Sequence, residues 1–303
     1  MPIDFSEIPN LLKEAARTGS LVPLIGAGVS RQAKTRTKDP FPTWPEFISE
    51  LKGLAVGLKR ITVEDQEEID DLARKGKYLM AAQALKSELP DDVLDDFVDR
   101  RFKPSGTEPG VIHERLFKLH PPLILTTNYD RLLEDAYTRV FNESAHPCTF
   151  KQAPLVEKFL KTHGQSVERP LIFKIHGSAD RPEEVVFAER DYRELRYREH
   201  GYRIVLSAIF VTKTVLMLGF SLSDPEISVL TESLRESLDH RSSPDFIVLP
   251  KGEKGAIERK RLREDFGLHV IEYEPSENHP ELLALVDYLV GLVPHQGDSA
   301  TAR

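Results

Sequence analysis

Four short stretches of this 303-residue chain carry residue types that could do chemistry. They are Gly26-Ala27-Gly28-Val29-Ser30, Thr126-Thr127-Asn128-Tyr129-Asp130, His176-Gly177-Ser178 and Gly219-Phe220-Ser221-Leu222-Ser223-Asp224. The first offers backbone N–H groups with no side chains in the way, which suits a pyrophosphate. It is not a full dinucleotide fingerprint, because Arg31 stands where the third glycine would fall. The second stretch supplies an amide and a carboxylate. The third supplies an imidazole, which titrates near neutral pH and serves widely as a general base. Each also has a plain structural reading: a simple turn at the glycines, a cap at Asn128, Ser223 or Asp224, a satisfied turn histidine at His176. Taken singly, the plain reading is favoured.

What joins the four is the element before each one. Apolar runs of strand length lead into them from Leu21, Pro121, Pro170 and Thr214, and further strands are expected over 246–249 and 269–273. A short strand is also predicted at Val185 to Ala188, and Cys148 to Gln152 reads ambiguously. Helical spacing marks 5–17, 132–141, 155–161, a long helix over 192–213, a helix opened by Ser223-Asp224-Pro225-Glu226, 256–266 and 280–293. Strands alternating with helices imply a parallel, doubly wound sheet. In such a sheet ligands bind beyond the carboxyl ends of the strands, so four chemically unusual ends on one edge point to one site.

The stretch between the first two strands is different. Residues 46–58, 63–75, 78–88, 91–101 and 110–119 all read as helices. The expected organisation is a Rossmann-like α/β domain over 1–44 and 120–303, with an inserted helical subdomain over 45–119. Residues 31–45 read as a loop, with Trp44, the only tryptophan, as a core anchor in preference to a ligand contact. Asp91, Asp92, Asp95, Asp96 and Asp99 fall at spacings that favour a solvated helix face over a cation site.

Composition narrows the function. A net charge of -8 makes binding of nucleic acid through the overall field a poor expectation. Cys148 is the only cysteine, which rules out an internal disulfide and a cysteine-rich zinc site. The opening residues lack the pattern of a signal peptide and no apolar run reaches membrane length, so a cytoplasmic protein without membrane contact is expected. No acidic residue closes a second strand about 20 residues past the glycines, against a plain dehydrogenase. His113 and His120 lie too far apart for a helical zinc-hydrolase motif.

Gly-Ala-Gly-x-Ser, Thr-x-Asn-x-Asp, His-Gly and Gly-x-Ser, in this order, resemble the sirtuin family of NAD-consuming enzymes. The fuller wording, Thr-Thr-Asn-Tyr-Asp-Arg-Leu-Leu-Glu, Ile-His-Gly-Ser and Gly-Phe-Ser-Leu-Ser-Asp-Pro, is closer to the zinc-less sirtuin-like domains of bacterial antiphage defence systems. The resemblance runs from about Leu21 to Tyr273, with the helical block poorly matched. Deacylating sirtuins carry four zinc-binding cysteines and a Pro-Asp-Phe-Arg segment after the glycine turn; Arg31-Gln-Ala-Lys-Thr-Arg stands in its place here.

The resemblance implies an NAD hydrolase that releases nicotinamide and ADP-ribose, with NAD as substrate and no zinc. It implies catalytic roles for His176, as general base, and for Asn128 and Asp130 at the nicotinamide end. NAD binding would fall to Gly26, Ala27, Gly28, Ser30, Thr127, Gly219 and Ser221, with Arg31 either adding charge or merely lying at the surface. The alternatives are a protein deacylase or ADP-ribosyltransferase on the same site, and a module that senses NAD or ADP-ribose without turnover. An unrestrained NAD hydrolase would exhaust its own cell, so the same resemblance implies a homo-oligomer and control by a partner, such as a HerA-type ATPase or another defence sensor.

Overall fold

The computed structural model describes residues 3–35, 41–162, 167–220, 225–239 and 243–294. Its strands are β1 (Leu21–Ile25), β2 (Leu123–Thr126), β3 (Cys148–Thr149), β4 (Leu171–Lys174), β5 (Thr214–Leu218), β6 (Asp245–Pro250) and β7 (Leu268–Tyr273). They form one 7-stranded sheet in the order β3-β4-β2-β1-β5-β6-β7, and every pairing is parallel. This is the α/β, Rossmann-like arrangement expected from the alternating pattern. The chain runs from β1 outward through β2 to one side, then returns to place β5 on the other side of β1. That reversal makes the β1–β5 junction the switch point where a crevice opens.

Helices cover both faces of the sheet. Along β1, Leu21 and Ile25 enter one core and Val22 and Leu24 the other, the period-2 alternation of a strand buried on both sides. The first core also takes α1 (Asn10–Thr18), and the sheet supports α2 (Ala27–Ser30), a single turn directly after β1. Between β1 and β2 lie α3 (Trp44–Gly57), α4 (Val63–Arg74), α5 (Tyr78–Glu88), α6 (Asp91–Phe102) and α7 (Val111–Phe117). Residues of α3 to α6 build a third core around Phe47, Ile48, Leu51, Leu85 and Val98, whereas Ile112, Leu116 and Phe117 of α7 pack on the sheet. Thr43 caps α3 through a reciprocal box with Glu46, whose carboxyl those hydrogen bonds hold below its ordinary range. The acidic face of α6 is solvent-facing, with Asp96 and Asp99 paired to Arg100 and Lys103.

The rest of the chain is α8 (Leu132–Phe141), α9 (Ala153–Thr162), α10 (Glu189–Arg198), α11 (His200–Thr212), α12 (Pro225–Ser237), α13 (Ala256–Glu264) and α14 (Pro280–Val290). Two sequence expectations change here and one ambiguity is resolved. The long helix over 192–213 is two helices, broken at Glu199, whose backbone leaves the helical region at ψ 66°. Val185 to Ala188 is not a strand; the segment is buried and tied to the turn after β4 by the Val186 N–H to the His176 carbonyl at 3.0 Å. The ambiguous Cys148–Thr149 is the edge strand β3, and Cys148 is buried there, its thiol pushed up by burial. Among the described residues no helix is long and apolar enough to cross a membrane.

Candidate active site

The carboxyl ends of β1, β2, β4 and β5 meet, and a cavity of about 920 Å3 opens above them. Ligand sites run to about 1,000 Å3, so this one has room for a dinucleotide. Gly26, Ala27, Gly28, Ser30, Thr127, Asn128, Asp130, His176 and Gly219 all line it. Ser221 lies outside the described residues, as do Ser223 and Asp224 of the expected helix opening.

The glycines do a different job from the one their spacing suggested. The Gly26 N–H donates to the Leu218 carbonyl at 2.9 Å and the Gly28 N–H to the Gly219 carbonyl at 3.0 Å. These two donors are therefore already committed and do not cradle a phosphate. What glycine permits is contact between the two loops at the switch point. A Cβ on Gly26 would fall 2.6 Å from the Gly219 oxygen, and one on Gly219, at φ 70°, would fall 2.5 Å from the Val29 nitrogen. No larger residue fits either position.

Beside them, Ser30 is the centre of a polar network. Asn128 donates through Nδ2 to the Gly26 carbonyl at 3.1 Å and to Ser30 Oγ at 2.9 Å. Because a carbonyl can only accept, the amide nitrogen must face Gly26, which leaves Asn128 Oδ1 as the group with capacity to accept from a ligand. Ser30 in turn donates to Asp130 Oδ2 at 2.7 Å, while Asp130 Oδ1 accepts the N–H of Leu132, the first residue of α8, at 3.0 Å. Asn128 is thus tied to the β1 turn and does not cap the helix. Both carboxylate oxygens of Asp130 are engaged by protein donors, so it acts on the cavity chiefly through Ser30. Thr127 is held by its N–H to the Ile25 carbonyl at 3.2 Å.

His176 follows β4 and is almost wholly buried at 1% exposure, with its ring edge-to-face against Tyr192 at 5.2 Å between centroids. Gly177, at φ 87°, turns the chain immediately afterwards, where a Cβ would strike the Glu184 carbonyl at 2.4 Å. Imidazole, amide, hydroxyl and carboxylate therefore converge from three strand ends. A general base and an orienting acceptor beside one space can steer a water or a ribose hydroxyl.

The opposite wall is aromatic and comes from the segment leading into α3 and from the helical block. Phe41, Trp44, Phe47, Tyr78 and Phe102 line it. Trp44 is half-buried, lies parallel to Tyr78 at 6.2 Å and stands edge-on to Phe47 at 5.9 Å. It packs against the third core, as expected of an anchor, and also lines the cavity from the N-terminus of α3. Phe102 meets Tyr129 edge-on at 5.0 Å, linking this wall to the loop that bears Asn128. Sequence reasoning also missed Tyr273 and His279, which line the far end and are joined by a 2.9 Å hydrogen bond between Oη and Nδ1. Burial pushes the Tyr273 hydroxyl up to about 12, so it stays protonated at neutral pH. Its place at the end of β7 was a usable signal, because the same rule that singled out the other strand ends applies to it.

Residues 122–271 match the family model described as the SIR2-like domain. The chain is 26% identical over 229 residues to "NAD(+) hydrolase ThsA" of Bacillus cereus, covering 75% of this chain and 44% of that protein. It is 25% identical over 270 residues to a protein of the same name from Acinetobacter baumannii, covering 88% of this chain and 49% of the relative. "Defense-associated sirtuin 2" of Bacillus subtilis is 27% identical over 281 residues, or 86% of this chain and 24% of that protein. The matches thus span about half or less of these relatives' length. The matched segment contains Asn128, Asp130, His176 and Gly219, residues that the strand ends bring together, and over that segment the chain is similar to the SIR2-like domain.

Proposed function

We propose that the chain is an NAD hydrolase, cleaving NAD to nicotinamide and ADP-ribose. The observation that carries this reading is the convergence of His176 with the Asn128–Ser30–Asp130 network at the floor of a cavity of dinucleotide size. Similarity to two proteins named NAD(+) hydrolase supports it. So does the span of the cavity: from the Asn128 end of β2 to the end of β6 is three strand spacings, roughly 14 Å, along which an extended dinucleotide can lie.

The chemistry asks little of the leaving group. When the bond from the ribose C1′ to nitrogen breaks, its electron pair neutralises the pyridinium and nicotinamide departs uncharged. The ribosyl carbon is left with oxocarbenium character, and water adds to it. Asn128 Oδ1 accepts from that water or from a ribose hydroxyl and fixes its direction of approach. His176 takes the proton that the water loses, completing ADP-ribose. Asp130, through Ser30, holds the Asn128 amide in the orientation that this requires. The loops at Gly26–Ser30 and Gly219 form the floor beneath the pyrophosphate, and Trp44 and its neighbours shield the reacting centre from bulk solvent.

We also propose that a partner or an assembly controls this activity in antiphage defence, since constitutive cleavage would deplete the host's own NAD. On α11, Val205, Leu206, Ile209 and Phe210 are buried against the sheet, while Ile204 and Val211 are 69% and 53% exposed. The test of the activity is product identification. Incubation with NAD should yield nicotinamide and free ADP-ribose in equal amounts. ADP-ribose transferred to protein, or release that requires an acylated lysine peptide, would replace hydrolysis with transfer or deacylation.

A further inference from the structure

The charged groups directly beneath the site are buried where no ligand touches them. Lys174, the last residue of β4 and two positions before His176, is 0% exposed. Its ammonium meets three acceptors: the Tyr129 carbonyl at 3.2 Å, the Asp130 carbonyl at 2.5 Å and Glu134 Oε1 at 2.7 Å. An ammonium has three N–H donors, so this one is saturated. Glu134, in the first turn of α8, is itself buried at 3% exposure, and its Oε2 has no partner among the described residues. Burial pushes its carboxyl up and the Lys174 ammonium pulls it down.

The ladder explains why these carbonyls need a donor. Thr126 pairs with Lys174 in the β2–β4 register, and the Ile175 N–H reaches the Thr126 carbonyl at 2.9 Å. Past Thr126 the β2 chain leaves the sheet, so the Tyr129 and Asp130 carbonyls face the interior with no strand neighbour to donate to them. The Ala179 N–H supplies one further bond to Tyr129, at 2.9 Å. Only a long, charged donor reaching up from β4 joins both carbonyls and the next helix at a single point. A buried ion pair is a poor source of stability relative to apolar packing. Its return here is geometric, since it locks the Asn128–Asp130 loop to the strand that carries His176.

We propose that Lys174 and Glu134 are positioning residues for the reaction, setting the distance between Asn128 and His176 without touching substrate. This rests on the hydrolase reading of the same site. The test compares the wild type with Lys174→Met/Glu134→Leu, which removes both charges at similar volume, and with Glu134→Gln, which keeps an acceptor for the ammonium. Thermal midpoint, kcat and KM for NAD, and the affinity for ADP-ribose are measured on each. The double variant should stay folded with a lowered thermal midpoint, because the Asp130 carbonyl loses its donor, and bind ADP-ribose within about threefold, yet lose about 10- to 100-fold in kcat with little change in KM, as misplacement by an ångström does. Glu134→Gln should recover to within about fivefold of the wild type. Should the double variant fail to fold, Lys174→Gln, which keeps two donors for three acceptors, must show the same split of kcat against KM. A folded double variant with wild-type kcat overturns the inference alone, and so does a Glu134→Gln variant as slow as the double. Absence of nicotinamide release from the wild type itself would instead remove the hydrolase reading, and this inference with it.

Discussion

The two walls of the cavity are built on opposite principles. On the strand-end wall directional bonds fix the polar groups: Ser30 holds Asn128 and Asp130, Asp130 accepts the first N–H of α8, and Gly26 and Gly219 bring two loops into contact. On the helical wall Trp44, Phe47, Tyr78 and Phe102 meet by ring packing, with centroids about 6 Å apart and no hydrogen bond needed to fix them. Directional bonds set atoms to within tenths of an ångström, as bond-making requires. Ring packing supplies area and excludes water but tolerates rearrangement. The first wall should therefore govern the rate and the second the binding.

The sharpest break of that contrast is Asn128→Asp. It keeps shape but turns the donor facing the Gly26 carbonyl into an acceptor, so the network must open. Nicotinamide release should fall by about 10²- to 10³-fold, with the thermal midpoint lowered far less than that loss suggests. Gly219→Ala comes next. Its Cβ would meet the Val29 nitrogen, at a backbone φ that side chains avoid, and should cost roughly 2–4 kcal/mol of stability, read as a lowered midpoint in denaturant. On the other wall, Trp44→Ala should raise KM for NAD by about five- to tenfold, since part of a large aromatic surface is lost, while kcat stays within about twofold. A collapse of kcat in Trp44→Ala would erase the distinction between the walls.

The smallest effect lies at the opposite edge of the sheet. Asp245 opens β6, accepts the Val215 N–H at 2.7 Å and is pushed by burial up to about 7. A carboxyl whose folded-state pKa exceeds its unfolded value near 3.8 favours folding most when protonated. Its contribution should therefore be full below about 3.8 and fade as the pH rises to about 7. Asp245→Asn, which can still accept from Val215, should flatten that part of the stability profile and leave NAD turnover unchanged. A stability profile identical to wild type between those limits would refute the shift.

The same contrast explains what could be read in the chain beforehand. The strand-end wall is written in short contiguous words, because each β-strand delivers its last few residues to one edge. Thr126 to Asp130 and His176-Gly177 needed only the parallel sheet to meet. The helical wall is assembled from Phe41, Trp44, Tyr78 and Phe102, far apart in sequence and adjacent only after α3 to α6 have packed, so no local pattern marks them. The break at Glu199 was hidden because helical periodicity continues through both α10 and α11. The Lys174–Glu134 pair was hidden for a different reason. A lysine at a strand end reads as solvent-facing, and only the departure of β2 from the ladder creates the buried acceptors that hold it.

The central claim, that these strand ends form a site for NAD cleavage, is tested most directly by measuring nicotinamide released from NAD by the wild type and by His176→Ala, with ADP-ribose affinity measured on both. The account requires release by the wild type, a loss of about 10²- to 10⁴-fold in the variant, and ADP-ribose affinities that agree. A His176→Ala protein that turns over NAD at the wild-type rate would contradict it.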